Sequence, residues 1–132
     1  MVTLLVVYKE TQIPDYYLGA IKEYQKRLQR YCNLELVSVK DQTEVQTLVD
    51  SYYTFRVSVK GKALDSVSFS EKIQDLTLNG HSKIAFILNM KFDAVDSLSL
   101  TTLEMKDDLS IVCMLEQVYR AFRIWYGEPY HK

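Results

Sequence analysis

The sequence contains little glycine, proline or cysteine, with 4 Gly, 2 Pro and 2 Cys among 132 residues. Neither glycine-rich phosphate-binding pattern, GxGxxG or GxxxxGK[ST], occurs, which argues against nucleoside triphosphate chemistry. Cys32 and Cys113 stand alone, without a CxxC pair or a nearby histidine, so we expect two reduced packing residues and no metal site. A hydrophobic content of 48% predicts a single folded domain spanning residues 1–132.

Neither sign of charge dominates, and no hydrophobic run is long. The 16 basic and 17 acidic side chains give a formal net charge of −1, so any attraction to nucleic acid must come from a local basic patch. The longest apolar run, at residues 84–88, is too short to cross a bilayer, and no charged segment precedes a hydrophobic region at the N-terminus. We therefore expect a cytoplasmic protein without membrane attachment.

Strand-like and helix-like patterns alternate along the chain. Short apolar runs rich in β-branched residues predict four strands, with a weaker fifth, at residues 3–8, 34–39, 53–59, 83–88 and 97–103. Amphipathic spacing predicts a helix beginning at Pro14-Asp15 and a short one from Val45. A capping box of Ser68 and Glu71 predicts the start of a third helix, which Asn79-Gly80 ends.

The last helix, predicted at residues 109–126, is apolar over much of its circumference. Such a helix needs more than one covering surface, and we expect the sheet to supply one and a partner subunit the second. The alternation of elements predicts an α/β fold with a mostly parallel sheet and helices on both faces. Ligands of such sheets bind beyond the carboxyl ends of the strands, so the loop after Leu88 is the candidate region.

The C-terminal segment WYGEPYHK, with the helix before it, combines aromatic rings and cations. Rings and guanidinium groups can stack on an unpaired base while cations contact phosphates, as recognition of a single-stranded RNA loop requires. The candidate residues are Arg120, Arg123, Tyr130, His131 and Lys132. In the alternative interpretation, Tyr130 packs the tail down and His131 has no role.

Two further features allow a structural and a functional interpretation. Lys22, Lys26 and Arg30 form a basic row at helical spacing, which predicts either a solvated helix face or contact with an RNA backbone. His81 lies in the turn sequence NGHS, which is typical of a solvated loop histidine rather than a catalytic one.

Residues 116–132, EQVYRAFRIWYGEPYHK, resemble the C-terminus of the RlmH-type methyltransferases. The segments VVYKETQIPDYYLGAIKEYQKRL and VSVKGKALDSVSFSEKI resemble earlier parts of the same family. The resemblance implies a SPOUT-class α/β fold with a C-terminal trefoil knot, a homodimer, and S-adenosylmethionine-dependent methylation of N3 of a pseudouridine in large-subunit ribosomal RNA. It also implies that Tyr130 and His131 lie beside the cofactor pocket and hold the target nucleotide.

The sequence departs from this family at both loops that would enclose the cofactor. A Gly-Gly loop follows the fourth strand in the family, whereas this chain has Leu88-Asn89-Met90-Lys91-Phe92-Asp93. The family's Thr-Phe-Pro-His pattern and following arginine correspond to Glu104-Met105-Lys106-Asp107 and Ile111. Added side chains restrict the backbone and fill space that a cofactor needs, so we expect a remodelled or lost pocket.

Three functions remain open from the sequence. The first is a methyltransferase whose S-adenosylmethionine pocket is formed by Val57, Leu88, Asn89, Leu103 and Met105, with Tyr130 and His131 as catalytic residues. The second is a non-catalytic knotted dimer that binds ribosomal RNA, the ribosome or another partner, with Arg120, Arg123 and Lys132 as RNA contacts. The third is a protein in which the last helix and tail serve only dimerisation.

Overall fold

The computed structural model describes residues 1–129 and contains one five-stranded parallel sheet. Its strands are β1 (Thr3–Lys9), β2 (Asn33–Val39), β3 (Tyr53–Val57), β4 (Lys83–Leu88) and β5 (Asp96–Leu98). They lie in the order β2-β1-β4-β3-β5, and every pairing is parallel. The predicted α/β class and parallel sheet are confirmed.

The helices are α1 (Asp15–Leu28), α2 (Val45–Leu48), α3 (Ser66–Leu78) and α4 (Asp107–Trp125), with a 3₁₀ turn at Gln42–Glu44 before α2. The predicted start at Pro14-Asp15 is confirmed: α1 begins at Asp15, and Pro14 precedes it in an extended conformation. Gly80, with φ of 92°, ends α3 in the left-handed region that glycine tolerates best.

The predicted capping box of Ser68 and Glu71 is wrong, because α3 begins one turn earlier. Asp65 is the residue that caps it: its carboxylate accepts a hydrogen bond from the Ser68 amide at 2.7 Å. Asp is as good an N-cap as Ser, and it comes first along the chain.

The predicted third strand is also too long, because the chain leaves the sheet after Val57. It turns over residues 58–61, where the Gly61 amide donates to the Ser58 carbonyl at 3.0 Å. A Cβ on Gly61 would lie 2.5 Å from the carbonyl carbon of Leu98, so this turn packs against β5 too closely for any side chain. The fifth strand, predicted at residues 97–103, is likewise restricted to Asp96–Leu98.

Three helices, α1, α3 and α4, cover one face of the sheet. Their apolar residues form the larger core cluster with alternate residues of the strands, including Leu4, Val6, Phe55 and Phe86. The opposite face carries a smaller cluster around Val7, Ile87 and Met90, which includes Val45 of α2 and the nearby Val49. Helices therefore lie on both faces, as predicted, but three helices cover one face and only the short α2 lies on the other.

The last helix, α4, finds its second covering surface within its own chain. It lies against both α1 and α3 as well as the sheet, and none of its residues from Asp107 to Trp125 is exposed. Much of its apolar circumference is thus covered within the chain, although Val112, Ile124 and Trp125 stay partly exposed. The homodimer and the C-terminal trefoil knot stay predictions.

Candidate functional site

The carboxyl ends of β3 and β4 meet the start of α4, and the residues predicted to form a pocket converge there. The Asn89 amide donates to the Val57 carbonyl at 2.8 Å, which joins the two strand ends. Val57, Asn89, Leu103 and Met105 line one cleft, together with Ser110 of α4. Leu88, the fifth predicted residue, is fully buried in the larger core cluster directly before Asn89.

Asn89 has an unusual backbone conformation and ties two elements together. Its φ is 56°, and within residues 1–129 no other residue except glycine has a positive φ. Asparagine tolerates this left-handed conformation better than most residues. Its side-chain amide donates to Asp107 Oδ1 and Ser110 Oγ, both at 3.0 Å. We call Asn89, Asp107 and Ser110 the Asn89 bracket, because they join the end of β4 to the first turn of α4.

The cleft beside the Asn89 bracket is almost completely filled. The space in it that water can occupy is about 10 Å³, which is enough for roughly one water molecule. Sites for small molecules and cofactors usually enclose about 300–1,000 Å³. This cleft on its own therefore has no room for S-adenosylmethionine, and the remodelling or loss of the family's cofactor pocket stays a prediction.

Met105 and Leu103, the two residues of the loop before α4 that line the cleft, differ in how deeply they are buried. Met105 is half-buried, and its sulfur lies 3.8 Å from Cys113 Sγ on α4. Leu103 is 75% exposed, so it only borders the cleft. Met105 is thus the more buried of the two lining residues.

A second, open groove adjoins the filled cleft and shares Ser58, Val59, Asn89 and Met105 with it. Its volume is about 350 Å³, and its polar lining consists of Arg56, Ser58, Lys60, Asn89 and Glu104. Arg56 Nε is buried and has no hydrogen-bond partner. The sequence suggested no role for Arg56, which looked like the outward polar residue of an alternating strand.

The two arginines predicted to contact RNA already bind carboxylates of this chain. Arg120 donates from Nε to Glu116 at 3.0 Å, one helical turn away. Arg123 donates to Glu128 at 2.9 Å and to the carbonyl of Pro129 at 3.1 Å. Tyr130, His131 and Lys132, the other residues of that prediction, lie outside the described residues.

Tyr31, in the turn after α1, contacts this arginine-carboxylate cluster and links that turn to the end of α4. Its hydroxyl donates to Glu128, and its ring stacks on Phe122 with a centroid separation of 5.4 Å. Burial raises the pKa of Tyr31, and the hydrogen bond to Glu128 raises it further. The segment that follows α4 is thus held to the turn after α1.

The remaining candidates are the basic row, His81 and the two cysteines. Lys22 and Lys26 are exposed on α1, and Arg30, exposed just after it, lies 3.4 Å from the Glu128 carboxylate; a solvated face and contact with RNA both stay predictions. His81 is exposed and lies edge-on to the ring of Tyr53 at 5.1 Å. Both cysteines are free, and burial raises the pKa of Cys32 to about 12, which makes it unreactive.

Neither a metal site nor a membrane span is found in the described part of the chain. Residues 1–129 contain no group of three or more His, Cys, Asp or Glu side chains placed to hold a metal ion. Among the same residues, no helix has both the length and the apolar character that crossing a bilayer requires.

Comparison with known proteins relates residues 1–131 to a family model described as predicted SPOUT methyltransferase. A relative named ribosomal RNA large subunit methyltransferase H 1, from Thermoanaerobacter sp. (strain X514), is 37% identical over 123 residues, which cover 92% of each chain. Proteins named ribosomal RNA large subunit methyltransferase H are 35% identical in Lactobacillus acidophilus, covering 89% of this chain and 91% of the relative, and 32% identical in Clostridium acetobutylicum, covering 99% of each.

One of these relatives is longer than this chain, and another has nearly the same length. The alignment with the Clostridium acetobutylicum protein spans 159 positions, and this chain has only 132 residues, so at least 27 internal positions have no counterpart here. The Thermoanaerobacter alignment of 123 positions covers 92% of both chains, so those two chains have nearly equal lengths. A shorter form of the protein therefore exists in at least one other organism.

Proposed function

The chain belongs to the SPOUT methyltransferase family, and from that premise we propose that it binds large-subunit ribosomal RNA in the cytoplasm, as a homodimer, without transferring a methyl group. The observation that carries this proposal is the filled cleft beside the Asn89 bracket. A methyl donor of nucleoside size needs roughly thirty times the 10 Å³ that is free there.

The RNA-binding part of the proposal is supported by the relatives and by surface charge. The relatives' names state that they act on large-subunit ribosomal RNA. Lys22 and Lys26 are exposed one helical turn apart on α1 and border an open cleft of about 330 Å³. Salt-sensitive contact of such cations with phosphates requires no methyl donor.

A second candidate function is the one carried by the relatives, S-adenosylmethionine-dependent methylation of N3 of a pseudouridine. It is favoured by the Thermoanaerobacter protein, which has nearly the same length and is named a methyltransferase. This function would require the Asn89 bracket to release α4 and Met105 to leave the cleft. Tyr130 and His131 would then be the candidates for orienting the base.

One experiment distinguishes the two functions. The purified protein is sedimented with large ribosomal subunits at 50 and 200 mM salt, and the same mixtures receive S-adenosylmethionine with a radiolabelled methyl group. We expect association at the lower salt, at least ten-fold weaker association at the higher salt, and no labelled RNA. Labelled RNA would establish methyl transfer, and a failure to sediment at either salt would remove the proposal.

Matched variants separate binding by α1 from a general effect of charge. K22Q and K26Q together should weaken the association several-fold, because each removes a phosphate contact. K40Q removes an exposed lysine outside the basic row and should have little effect. Replacing Tyr130 and His131 with Ala tests the third possibility, since a purely dimerising tail would alter dimer affinity and leave RNA association unchanged.

A further inference from the structure

Arg56 combines a buried side-chain nitrogen with a lack of hydrogen bonds and ion pairs among residues 1–129. It lies near the carboxyl end of β3, where its register neighbours are Ile87 on β4 and Ser97 on β5. Its side chain therefore emerges on the sparsely covered face of the sheet, opposite Phe55 and Val57. No hydrogen bond or ion pair to Arg56 is found within residues 1–129, and its Nε is buried.

A buried donor without a partner is costly, and in native proteins such groups are rare and usually have a ligand, an ion or a water as partner. Arg123 provides a contrast, because its Nε is also unpartnered but its terminal nitrogens bind Glu128, Pro129 and Tyr31. Arg56 has no such contacts to account for its position. Arg56 lines the open groove of about 350 Å³, so a ligand in that groove could accept hydrogen bonds from its terminal nitrogens, next to the buried Nε.

The lining of this groove matches a phosphate group. A guanidinium offers several N–H donors in a fixed plane, which suits the oxygens of a phosphate. Lys60 is exposed at the rim and adds a second positive charge, while Ser58 adds a hydroxyl donor. A volume of about 350 Å³ falls within the range of small-molecule sites and would hold one nucleotide.

We propose that Arg56 and Lys60 bind the phosphate group of a nucleotide in this groove. The phosphate belongs either to a free mononucleotide or to the backbone of an RNA strand, since both present the same oxygens. Glu104 is the acidic residue of the groove, and it forms no ion pair with Arg56. Its carboxylate repels an anion, so it limits the affinity.

The test follows the Arg56 side chain directly. The Nε–H resonance of Arg56 is recorded by NMR while uridine monophosphate, uridine or a short oligouridylate is added. We expect that resonance to shift with the two phosphate-bearing probes and not with uridine. Uridine monophosphate alone would identify a mononucleotide site, and the oligonucleotide alone an RNA backbone site. The proposal is overturned if neither probe moves the resonance.

Four variants give the proposal a predicted order of affinities. R56M keeps the length of the side chain and should weaken binding about ten- to a hundred-fold, because it removes charge-assisted hydrogen bonds. R56K restores the charge without the Nε donor, so its affinity should lie between those of R56M and the unaltered protein. E104Q should tighten binding several-fold, and K40Q, which alters a lysine outside the groove, should change nothing. Equal affinities of R56M and the unaltered protein would contradict the proposal.

This site does not depend on the proposed ribosomal function. If uridine monophosphate binds but the protein fails to sediment with large subunits, the phosphate site stands and the proposed function falls. If no probe moves the resonance and the protein sediments in the same way with and without R56M, the proposed function stands and the phosphate site falls.

Discussion

Replacing Asn89 tests whether the Asn89 bracket holds the start of α4 against the end of β4. In N89G both side-chain hydrogen bonds, to Asp107 and Ser110, are lost. Asn89 is exposed, so each bond contributes at the low end of the usual range, about 0.5–1 kcal/mol. Glycine adopts a φ of 56° without strain, but it also loses more chain entropy on folding, and these two effects nearly cancel.

We therefore expect N89G to lower the free energy of unfolding by about 1–2 kcal/mol. N89A loses the same two bonds and adds the strain of a Cβ in the left-handed region, about 1 kcal/mol more. Urea denaturation followed by circular dichroism measures both variants. In a double-mutant cycle with S110A, the coupling between Asn89 and Ser110 should be about 0.5–1 kcal/mol.

The reasoning is refuted if N89G is as stable as the unaltered protein and the cycle gives no coupling. Equal stabilities of N89A and N89G would separately contradict the positive φ. A change in the denaturant dependence of the free energy, rather than in the midpoint, would indicate loss of two-state unfolding and would call for hydrogen exchange at α4 instead.

Three further changes should affect stability through contacts elsewhere in the fold. G61A places a Cβ against the backbone of Leu98, so we expect a loss of about 2–3 kcal/mol in urea denaturation; a neutral result would mean that β5 shifts freely. D65A removes the cap of α3 and should cost about 1 kcal/mol, whereas an unchanged midpoint would restore the capping box as the true start. Y31F removes the hydroxyl bound to Glu128 and should cost about 1–2 kcal/mol at neutral pH. Because the pKa of Tyr31 is raised on folding, the unaltered protein should lose this stabilisation above pH 10, and Y31F should lack that part of the alkaline decline.

Much of the fold is predictable from the sequence because the buried strands are short apolar runs with clear limits. The run at residues 83–88 is central in the sheet, so every residue from Ile84 to Leu88 is buried and the pattern is unambiguous. The ends of the strands were predicted less well. The predicted third strand continued to Val59 because alternation persists in the sequence, whereas the turn that includes Gly61 directs the chain away from β4.

The site was only partly predictable, because its geometry depends on contacts between distant segments. Resemblance to a family correctly brought Val57, Asn89 and Met105 to one cleft. The resemblance implied only that the Asn89 side chain fills space that a glycine leaves open in the family. The sequence offered one signal of its other role, an asparagine directly after a buried strand, where a left-handed turn suits that residue. Its bonds to Asp107 and Ser110 span 18 and 21 residues, which no local pattern indicates.

Titration calorimetry with S-adenosylmethionine tests the central claim of a filled methyl-donor cleft most directly. We predict no heat of binding at millimolar ligand for the unaltered protein and for N89A alike, because Met105 and the other lining residues remain when the Asn89 side chain is shortened. Saturable binding of one S-adenosylmethionine per chain at micromolar concentration would contradict this claim, and methyl transfer would then become the better-supported function.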